Sequence, residues 1–400
     1  MANKDSKKIV LGHGSGGKLS HELIKEVFFR HFQNPVLAQF GDSAIVELPG
    51  CPTSSNTTAQ IKSPSPGGRG VAGPLPTKKG EGDTLTLPSP LKGEGYGPPK
   101  ADTTKVAFTT DSFVVKPLFF PGGDIGKLAI SGTVNDLAVM GARPMFLSAA
   151  FILEEGLEIS LLEKVALSMK ETAAEAGVII STGDTKVVEK GSADGLYINT
   201  AGIGIVEDSI FLSPDRIRPG DKLILSGTLG DHGLAILAAR HESALGGLES
   251  QLKSDCAPLA GMIQKALGVC KDIKFMRDPT RGGLATVLNE VTYERDFGIL
   301  LYEDFIPVKE EVRAACEILG LEPLYLANEG KVVIICPEEG ADKVLDALKN
   351  HPLGKDSAII GEVVKGGSTA GVLGKVFMKT QVGGTRVIDM PVADPLPRIC

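Results

Sequence analysis

No apolar run in the 400-residue sequence approaches the roughly 20 residues that a membrane-spanning helix requires. The first eight residues lead into only a short apolar stretch, which is not the pattern of a secretory signal. Basic residues are fewer than acidic ones, 42 against 49, which gives a net charge of −7 and a pI near 5.5. Non-specific binding to nucleic acid or to an anionic membrane is therefore not expected.

Cysteine is sparse, and no two of the six cysteines are spaced as Cys-x-x-Cys. They are scattered over positions 51, 256, 270, 316, 336 and 400. This distribution argues against a zinc site and a disulfide framework, and it predicts a cytoplasmic location. Cys400 is not placed for prenylation, which requires a cysteine fourth from the end of a chain.

The last stretch of the sequence, Pro395-Leu396-Pro397-Arg398-Ile399-Cys400, ends in a thiol. Its two prolines favour extended backbone and oppose helix and sheet hydrogen bonds. An extended segment with a nucleophile at its end is suited to carry a chemical group from one partner into an active site. The alternative is an incidental cysteine in a frayed end, and the rest of the sequence favours the carrier.

A glycine-rich segment near the start, Gly12-His13-Gly14-Ser15-Gly16-Gly17-Lys18, matches the Gly-x4-Gly-Lys part of a phosphate-binding P-loop. Leu19 stands where the P-loop has the Ser or Thr that holds Mg²⁺. We therefore interpret the segment as a flap that closes over a ligand, followed by a helix within residues 1–35. A merely flexible leader is the alternative.

Residues 51–100 interrupt the folded pattern, with nine prolines and nine glycines and no aliphatic periodicity. Such a composition buries too little apolar surface to offset the entropy of ordering the chain. The flanking segments both have strand character, so we predict a disordered insertion at a hairpin tip.

Helical and strand patterns alternate over the remainder of the chain. Helices are predicted over 124–141, 160–176, 232–240, 257–267, 313–319 and 340–349, and strands over 39–48, 143–153, 196–206, 222–226, 331–336 and 358–364. A turn is predicted at Gly183-Asp184-Thr185-Lys186, and a domain boundary near Ser213–Asp221. The alternation predicts an α+β or α/β fold of two domains, 36–210 and 215–365, followed by a tail over 366–400.

Acidic residues recur where strands end or turns begin, at Asp42, Asp111, Asp136, Asp184 and Asp278. Several carboxylates in one cleft would repel one another unless a divalent cation neutralised them, and Mg²⁺ on nucleotide phosphates is the usual solution. Any one of these residues alone is more often a helix cap or a turn residue, and only the set as a whole indicates a metal site.

Two further segments combine charge with turns. Arg277–Leu284 joins an aspartate and two guanidiniums to a predicted helix start, where exposed amides favour phosphate, or it is only a helix entry. Glu329 lies in Asn328-Glu329-Gly330 before a buried strand, and is either a catalytic base or a turn residue. Asp231-His232 is read as a helix cap.

Taken together, these motifs resemble the HypE family of hydrogenase maturation proteins. The resemblance is carried by residues 15–18, 110–113, 134–144, 182–186, 230–233 and 277–284 and by the terminal Pro-Arg-Ile-Cys. This family is part of the ATP-binding superfamily of aminoimidazole ribonucleotide synthetase, selenophosphate synthetase and thiamine-monophosphate kinase. The similarity covers nearly everything outside residues 51–100. It implies a PurM-like α+β fold and a homodimer paired through the N-terminal sheets.

The resemblance also implies a reaction. Cys400 would receive a carbamoyl group from the carbamoyltransferase HypF, and ATP would phosphorylate the carbamoyl oxygen. Loss of phosphate would leave a thiocyanate, whose cyanide passes to iron on a HypC–HypD complex for [NiFe] hydrogenase.

The implied site has three groups of residues. Cys400, Lys186 and Glu329 would be catalytic, with Glu329 as base and Lys186 stabilising phosphoryl charge. Asp42, Asp136 and Asp278 would bind Mg²⁺. ATP and further metal would be held by Asp111, Asn135, Asp136, Gly183, Asp184 and Thr185.

Two kinds of alternative remain. Another ATP-dependent enzyme of the superfamily is disfavoured because Ser15 stands where selenophosphate synthetases have a reactive Cys or selenocysteine, and because a thiamine-monophosphate kinase needs no terminal Cys. A non-catalytic nucleotide-binding scaffold is disfavoured because it has no need of metal ligands.

Overall fold

The structure is a computed structural model, and it describes part of the chain. The residues described are 104–240, 247–366 and 374–392, Leu396, residues 398–400, the strand at 44–48, and the single positions 18, 22 and 25. Apart from Lys18, the predicted flap and the insertion at 51–100 lie outside these residues, as does Asp42. In the part of the chain that is described, no helix is both long and apolar enough to cross a bilayer.

The secondary structure of the described residues contains both strands and helices. The strands are β1 (Ala44–Leu48), β2 (Thr104–Phe113), β3 (Phe119–Phe120), β4 (Gly123–Asp124), β5 (Ala142–Glu154), β6 (Ile179–Val188), β7 (Leu196–Val206), β8 (Lys222–Leu225), β9 (Phe275–Arg277), β10 (Phe297–Tyr302), β11 (Val333–Cys336), β12 (Ala358–Lys365), β13 (Val376–Lys379) and β14 (Thr385–Ile388). The helices are α1 (Ile125–Val139), α2 (Ile159–Ala176), α3 (Asp231–Arg240), α4 (Ala260–Val269), α5 (Gly283–Thr292), α6 (Glu310–Leu319) and α7 (Glu338–Lys349).

One sheet has five strands in the order β1-β2-β7-β5-β6. β7 pairs antiparallel with β2 and β5, whereas β6 pairs parallel with β5. Side chains on β7 alternate between buried and more exposed along its whole length, as expected for a strand with one covered face. Nine of the ten residues of the edge strand β6 are exposed.

Helix α1 is buried on nearly all sides and carries part of the site. It begins after Asp124, whose side chain accepts the main-chain N–H groups of Gly126 at 2.7 Å and Lys127 at 3.2 Å. It packs against β5 and β7 on one side and against α2 and α4 on others. Because every face is covered, polar residues such as Asn135 must find partners inside the protein.

The second sheet has seven strands in the order β14-β13-β10-β12-β8-β11-β9. Its central strands β8 and β11 are apolar and almost wholly buried, as in a sheet covered on both faces. β10 and β13 pair in parallel, and the other neighbouring strands pair antiparallel.

Most predicted elements are confirmed to within a few residues, but two predictions were wrong and two strands were missed. Gly183–Lys186 is not a turn, because it lies inside β6, where Gly183 and Lys186 pair with Ala149 and Ile152 of β5. The predicted tail over 366–400 begins too early, because residues 376–388 form two strands of the larger sheet. Strands β9 and β10 were not predicted.

The mixed architecture confirms the predicted α+β class. The domain limits that the sequence suggested stay a prediction.

Candidate active site

A cavity of about 230 Å³ brings together residues from five separate parts of the chain. Its lining is Thr110, Asp111, Phe113, Gly132, Asp136, Asp278, Thr280, Arg281, Glu329 and Cys400. These come from β2, from α1, from the segment between β9 and α5, from the segment before β11, and from the end of the sequence. Five predicted site residues therefore meet in one place: Asp111, Asp136, Asp278, Glu329 and Cys400.

Four carboxylates in this small cavity dominate its electrostatics. Asp278 and Glu329 are only 4% and 3% exposed. Burial, followed by the negative charges of Asp278, Asp111 and Asp255, raises the pKa of Glu329 well above its usual value, and Arg281 opposes this. One carboxylate oxygen of Glu329, Oε1, is buried without a hydrogen-bond partner. An unpaired buried oxygen in a cavity is the arrangement expected of a group that contacts a ligand.

The oxygen-only donor set is of the type that Mg²⁺ prefers. Among the described residues, however, no three His, Cys, Asp or Glu side chains are grouped so as to hold a metal ion. Asp136 is oriented by Thr109, whose hydroxyl donates to its Oδ2 at 2.8 Å. The third predicted ligand, Asp42, lies outside the described residues, so the magnesium site stays a prediction.

Arg281 is the cation of the cavity wall. Its guanidinium lies 3.9 Å from Asp111 Oδ1. The negative charge of Cys400 is the largest influence on Arg281 and raises the pKa of the guanidinium above its usual range, with smaller contributions from Asp111 and Glu329.

Cys400 differs from the other described cysteines, all of which are buried. Burial raises the pKa of Cys316 to about 11 and that of Cys336 to about 12. Thiols in such surroundings are poor nucleophiles at neutral pH. Cys400 is half-exposed and lines the cavity, so of these cysteines it is the one placed to react.

Asn135 is 1% exposed and holds two loops together. Its side-chain amide donates to the carbonyls of Ala257 at 3.1 Å and Glu329 at 3.4 Å, and its oxygen accepts the N–H of Leu259 at 2.7 Å. These bonds occupy both amide hydrogens and the oxygen. Direct contact of Asn135 with ATP stays a prediction, while its observed contacts fix the Glu329 loop.

Asp255 was missed in the sequence analysis, because no pattern in the sequence marks it. Its Oδ1 accepts the N–H of Glu329 at 3.1 Å, its Oδ2 accepts that of Gly330 at 3.3 Å, and Lys331 Nζ lies 3.3 Å from Oδ2. A Cβ on Gly330 would lie 1.8 Å from the Asp255 carbonyl oxygen, so only glycine permits this close approach.

Four predicted residues lie on β6 and do not line the cavity: Gly183, Asp184, Thr185 and Lys186. The Thr185 N–H, followed by Lys186, lowers the pKa of Asp184, and Lys186 Nζ lies 3.3 Å from its carboxylate. Gly183 lines a second hollow of about 330 Å³ between β5, β6 and α2. The structure of the single chain therefore places this group apart from Cys400.

Comparison with known proteins identifies the family. Models of the AIR synthase related protein match the chain twice, the N-terminal domain over residues 99–206 and the C-terminal domain over residues 218–374. Carbamoyl dehydratase HypE of Azotobacter vinelandii is 43% identical over 388 residues, which cover 97% of this chain and 96% of that protein. The chain belongs to the HypE family.

Solved structures agree with this assignment. A crystal structure of a HypE–HypF complex matches with a TM-score of 0.73 and 41% identity, over 92% of this chain and 99% of that one. A crystal structure of HypE in complex with ATP matches with a TM-score of 0.70 and 42% identity, over 98% and 100%. The PurM-like fold expected from the sequence is confirmed by these HypE neighbours.

Proposed function

We propose that this chain is an ATP-dependent carbamoyl dehydratase that converts a carbamoyl group on the sulfur of Cys400 into a thiocyanate. The observation that carries the proposal is the position of Cys400, which lines the same cavity as the buried, unpaired carboxylate oxygen of Glu329. A carrier thiol and a base in one cavity are what the reaction needs. The names of the HypE relatives support the same activity.

The chemistry proceeds by making a poor leaving group into a good one. The carbamoyl oxygen attacks the γ-phosphorus of ATP, and the bond from that phosphorus to the β-γ bridging oxygen breaks, giving ADP. The carbon–oxygen bond then breaks with loss of inorganic phosphate, and the two N–H protons are removed. The sulfur of Cys400 keeps its bond to carbon and finally carries a nitrile.

Residues of the cavity divide this work. Glu329 in its carboxylate form accepts one proton from the nitrogen, and its raised pKa makes that form a stronger base than an exposed glutamate. The second proton leaves with the inorganic phosphate. Arg281 and Lys186 stabilise negative charge on the transferring phosphoryl group. Lys186 does not line the cavity of the single chain, so its role requires either a second copy of the chain or a movement of β6.

Nucleotide and metal are assigned to the remaining acidic and polar residues. Asp42, Asp136 and Asp278 would hold Mg²⁺, which when bound neutralises phosphate charge. The nucleotide contacts are assigned to Asp111, Asn135, Asp136, Gly183, Asp184 and Thr185. The hollow beside Gly183 supports this assignment, because it offers apolar surface from Phe151 and Met169.

We propose that the chain acts as a homodimer in the cytoplasm. The open face of the five-stranded sheet carries large exposed apolar side chains, among them Phe108, Phe146, Ile152 and Ile203. Exposed apolar patches of this kind mark interaction surfaces. HypF is proposed to load Cys400, and a HypC–HypD complex to accept the cyanide; the HypE–HypF crystal structure supports the first of these.

The domain organisation completes the proposal. We assign residues 1–35 to the flap and helix, 36–210 to the N-terminal ATP-binding domain with its insertion at 51–100, and 215–365 to the C-terminal domain, whose sheet also includes the strands at 376–388. The matches of the two family models over 99–206 and 218–374 support the division near residue 212.

Intact-mass spectrometry tests the proposed function directly. The protein is incubated with HypF, carbamoyl phosphate and ATP, and a mass gain confined to Cys400 is expected, followed by loss of one water mass. Cys400→Ala should show neither change. A label on any other cysteine refutes the carrier role.

The scaffold alternative makes a different prediction. A protein that only binds nucleotide and recruits partners shows no hydrolysis of ATP that depends on Cys400. ATP turnover by the carbamoyl-loaded protein, compared between wild type and Cys400→Ala, separates the two functions.

A further inference from the structure

Two side chains of α3 bind the main chain at the end of the sequence. His232 Nε2 lies 2.6 Å from the carbonyl oxygen of Ile399. The Arg240 guanidinium donates to the carbonyl of Lys116 at 2.6 Å and also to the carbonyl of Arg398. These residues lie at opposite ends of α3, so this helix contacts the segment at two points.

The surroundings of His232 fix which nitrogen carries its proton. Its side chain is fully buried, and burial lowers its pKa, so the ring is neutral. A carbonyl oxygen can only accept, hence Nε2 must be protonated and donates to Ile399. Nδ1 then accepts from the hydroxyl of Ser254 at 2.8 Å, which in turn accepts the N–H of Cys256 at 3.0 Å. Phe120 packs edge-on against the ring and further limits its rotation.

The segment after β2 supplies two more donors. The N–H of Val114 donates to the Cys400 oxygen at 3.0 Å, and that of Lys116 donates to Arg398 at 3.3 Å. Three successive carbonyls, those of residues 398, 399 and 400, are thereby bound. All of these bonds are to main-chain atoms of residues 398–400, and none of them uses the sulfur of Cys400.

Side chains add two anchors. Ile399 is 2% exposed and Leu396 is 7% exposed, and both belong to the hydrophobic core. Arg398 donates to Asp194 at 2.6 Å and to the carbonyl of Val114 at 3.1 Å. Asp194 also pairs with Lys116 at 2.9 Å, so Arg398 and the segment after β2 share one carboxylate.

We propose that His232 and Arg240 are positioning residues that form a main-chain receptor for residues 398–400 and hold the Cys400 sulfur in the acidic cavity. With three carbonyls held, the sulfur moves only by rotation about its own side-chain bonds, which limits the orientations of a carried group. The bonds that form the receptor are made to main-chain oxygens, which the loaded and the unloaded segment both present. Only the catalytic consequence of the receptor rests on the proposed function.

The test measures release of the segment without any reaction. A maleimide attached to a 5 kDa polyethylene glycol chain reports release of the segment, because Cys400 is only half-exposed while the segment is bound and reacts faster once it leaves. The protein carries Cys51→Ser, and the site of modification is mapped by peptide mass. Arg240→Met removes one charged hydrogen-bond donor and should raise the rate of Cys400 modification about tenfold. His232→Leu should raise it comparably, and His232→Gln, which retains a donor, less.

Controls separate positioning from loss of fold. Arg295→Met removes a half-exposed arginine that pairs with Asp215 and makes none of the contacts described for the segment, so this variant should be modified at the wild-type rate. Thermal unfolding verifies that each variant is folded, and Arg240 is at the partly exposed end of α3, where the substitution is tolerated. Unchanged maleimide rates in folded Arg240→Met and His232→Leu overturn the proposal.

A second measurement links the receptor to the reaction. In protein loaded by the carbamoyltransferase, single-turnover dehydration should slow about tenfold in Arg240→Met, while loading is as fast as in wild type or faster. Equal slowing of both steps indicates general damage and contradicts a positioning role. If the wild type itself shows no dehydration, the proposed function fails. The maleimide rates still show whether His232 and Arg240 hold residues 398–400 in place.

Discussion

The carboxylate of Asp255 accepts the main-chain N–H of Glu329 at 3.1 Å, and Glu329 lines the cavity. The other Asp255 oxygen binds Gly330 and Lys331, so a single 2%-exposed side chain fixes three successive residues. Without these hydrogen bonds and the positive charge of Lys331, the buried carboxylate of Asp255 would be destabilising beside that of Glu329. The contact therefore determines where the proposed base can lie.

We predict that Asp255→Asn slows dehydration and destabilises the fold. Asparagine presents one oxygen and one NH₂ group, so one of the two main-chain N–H groups loses its acceptor and Lys331 loses its counter-charge. Misplacing the base should lower kcat about tenfold or more, with a smaller change in KM for ATP. The free energy of unfolding should fall by about 1–3 kcal/mol, as measured by urea denaturation.

Asp304→Asn is the matched control, because Asp304 is an exposed acid outside the site. It should leave kcat and the free energy of unfolding unchanged. If KM for ATP rises in Asp255→Asn while kcat stays constant, Asp255 acts on nucleotide binding and not on the base.

Glu329 and Asp255 show what could be predicted from the sequence. Glu329 lies in Asn328-Glu329-Gly330 before an apolar strand, and a turn before a buried strand is visible in a linear pattern. Asp255 is 74 residues away in the chain, and its contact with Glu329 exists only in the folded protein. Such long-range pairing leaves no local signal.

The errors in secondary structure have a related cause. The sequence Gly-Asp-Thr-Lys at 183–186 has turn composition, yet pairing with β5 keeps it extended, which is tertiary context overriding local propensity. Residues 376–388 follow a glycine-rich stretch that looks like the start of a tail, but Val376 and Met378 are buried against the sheet.

We predict that Glu329→Gln abolishes dehydration and changes the pH dependence of stability. Glutamine cannot accept the nitrogen protons, whereas nucleotide should still bind. In the wild type, burial and nearby acids raise the pKa of Glu329 in the folded chain. The folded chain therefore keeps a proton on Glu329 at pH values above the unfolded-state pKa of about 4.3. The free energy of unfolding of the wild type should therefore fall as pH rises through that window.

Urea denaturation from pH 4.5 to 8 in EDTA, without nucleotide, measures this difference. The free energy of unfolding of Glu329→Gln, relative to that of the wild type, should rise by about 1.4 kcal/mol for each pH unit between the unfolded-state and folded-state pKa values of Glu329. Above the folded-state pKa the difference should stay constant. Glu310→Gln, at an exposed position on α6, is expected to follow the wild type. Parallel curves for Glu329→Gln and wild type would show that Glu329 titrates normally.

Deleting residues 52–100 should leave the activity within about twofold of the wild type, because the insertion is predicted at a hairpin tip where chain length costs little. The variant is compared in the dehydration assay and by thermal unfolding. A large loss of activity with unchanged thermal stability would mean that the insertion has a function of its own.

The open face of the five-stranded sheet gives the last prediction. Ile203 is directly opposite Phe108 on one neighbouring strand and Phe146 on the other, and all three are more than 40% exposed. If this row is the centre of a homodimer, Ile203→Asp buries unpaired charges at the interface and should weaken dimerisation more than about 100-fold. Sedimentation equilibrium measures the change.

Ile318→Asp is the control for that measurement, since Ile318 is 59% exposed but lies on α6, outside the sheet. It adds the same charge to the surface and should sediment as the wild type does. Ile203→Asp should also lower ATP turnover if Lys186 serves the cavity of a second copy, because a separated chain leaves Lys186 outside the cavity. If the variant is monomeric and keeps full ATP turnover, Lys186 reaches the cavity of its own chain through a movement of β6.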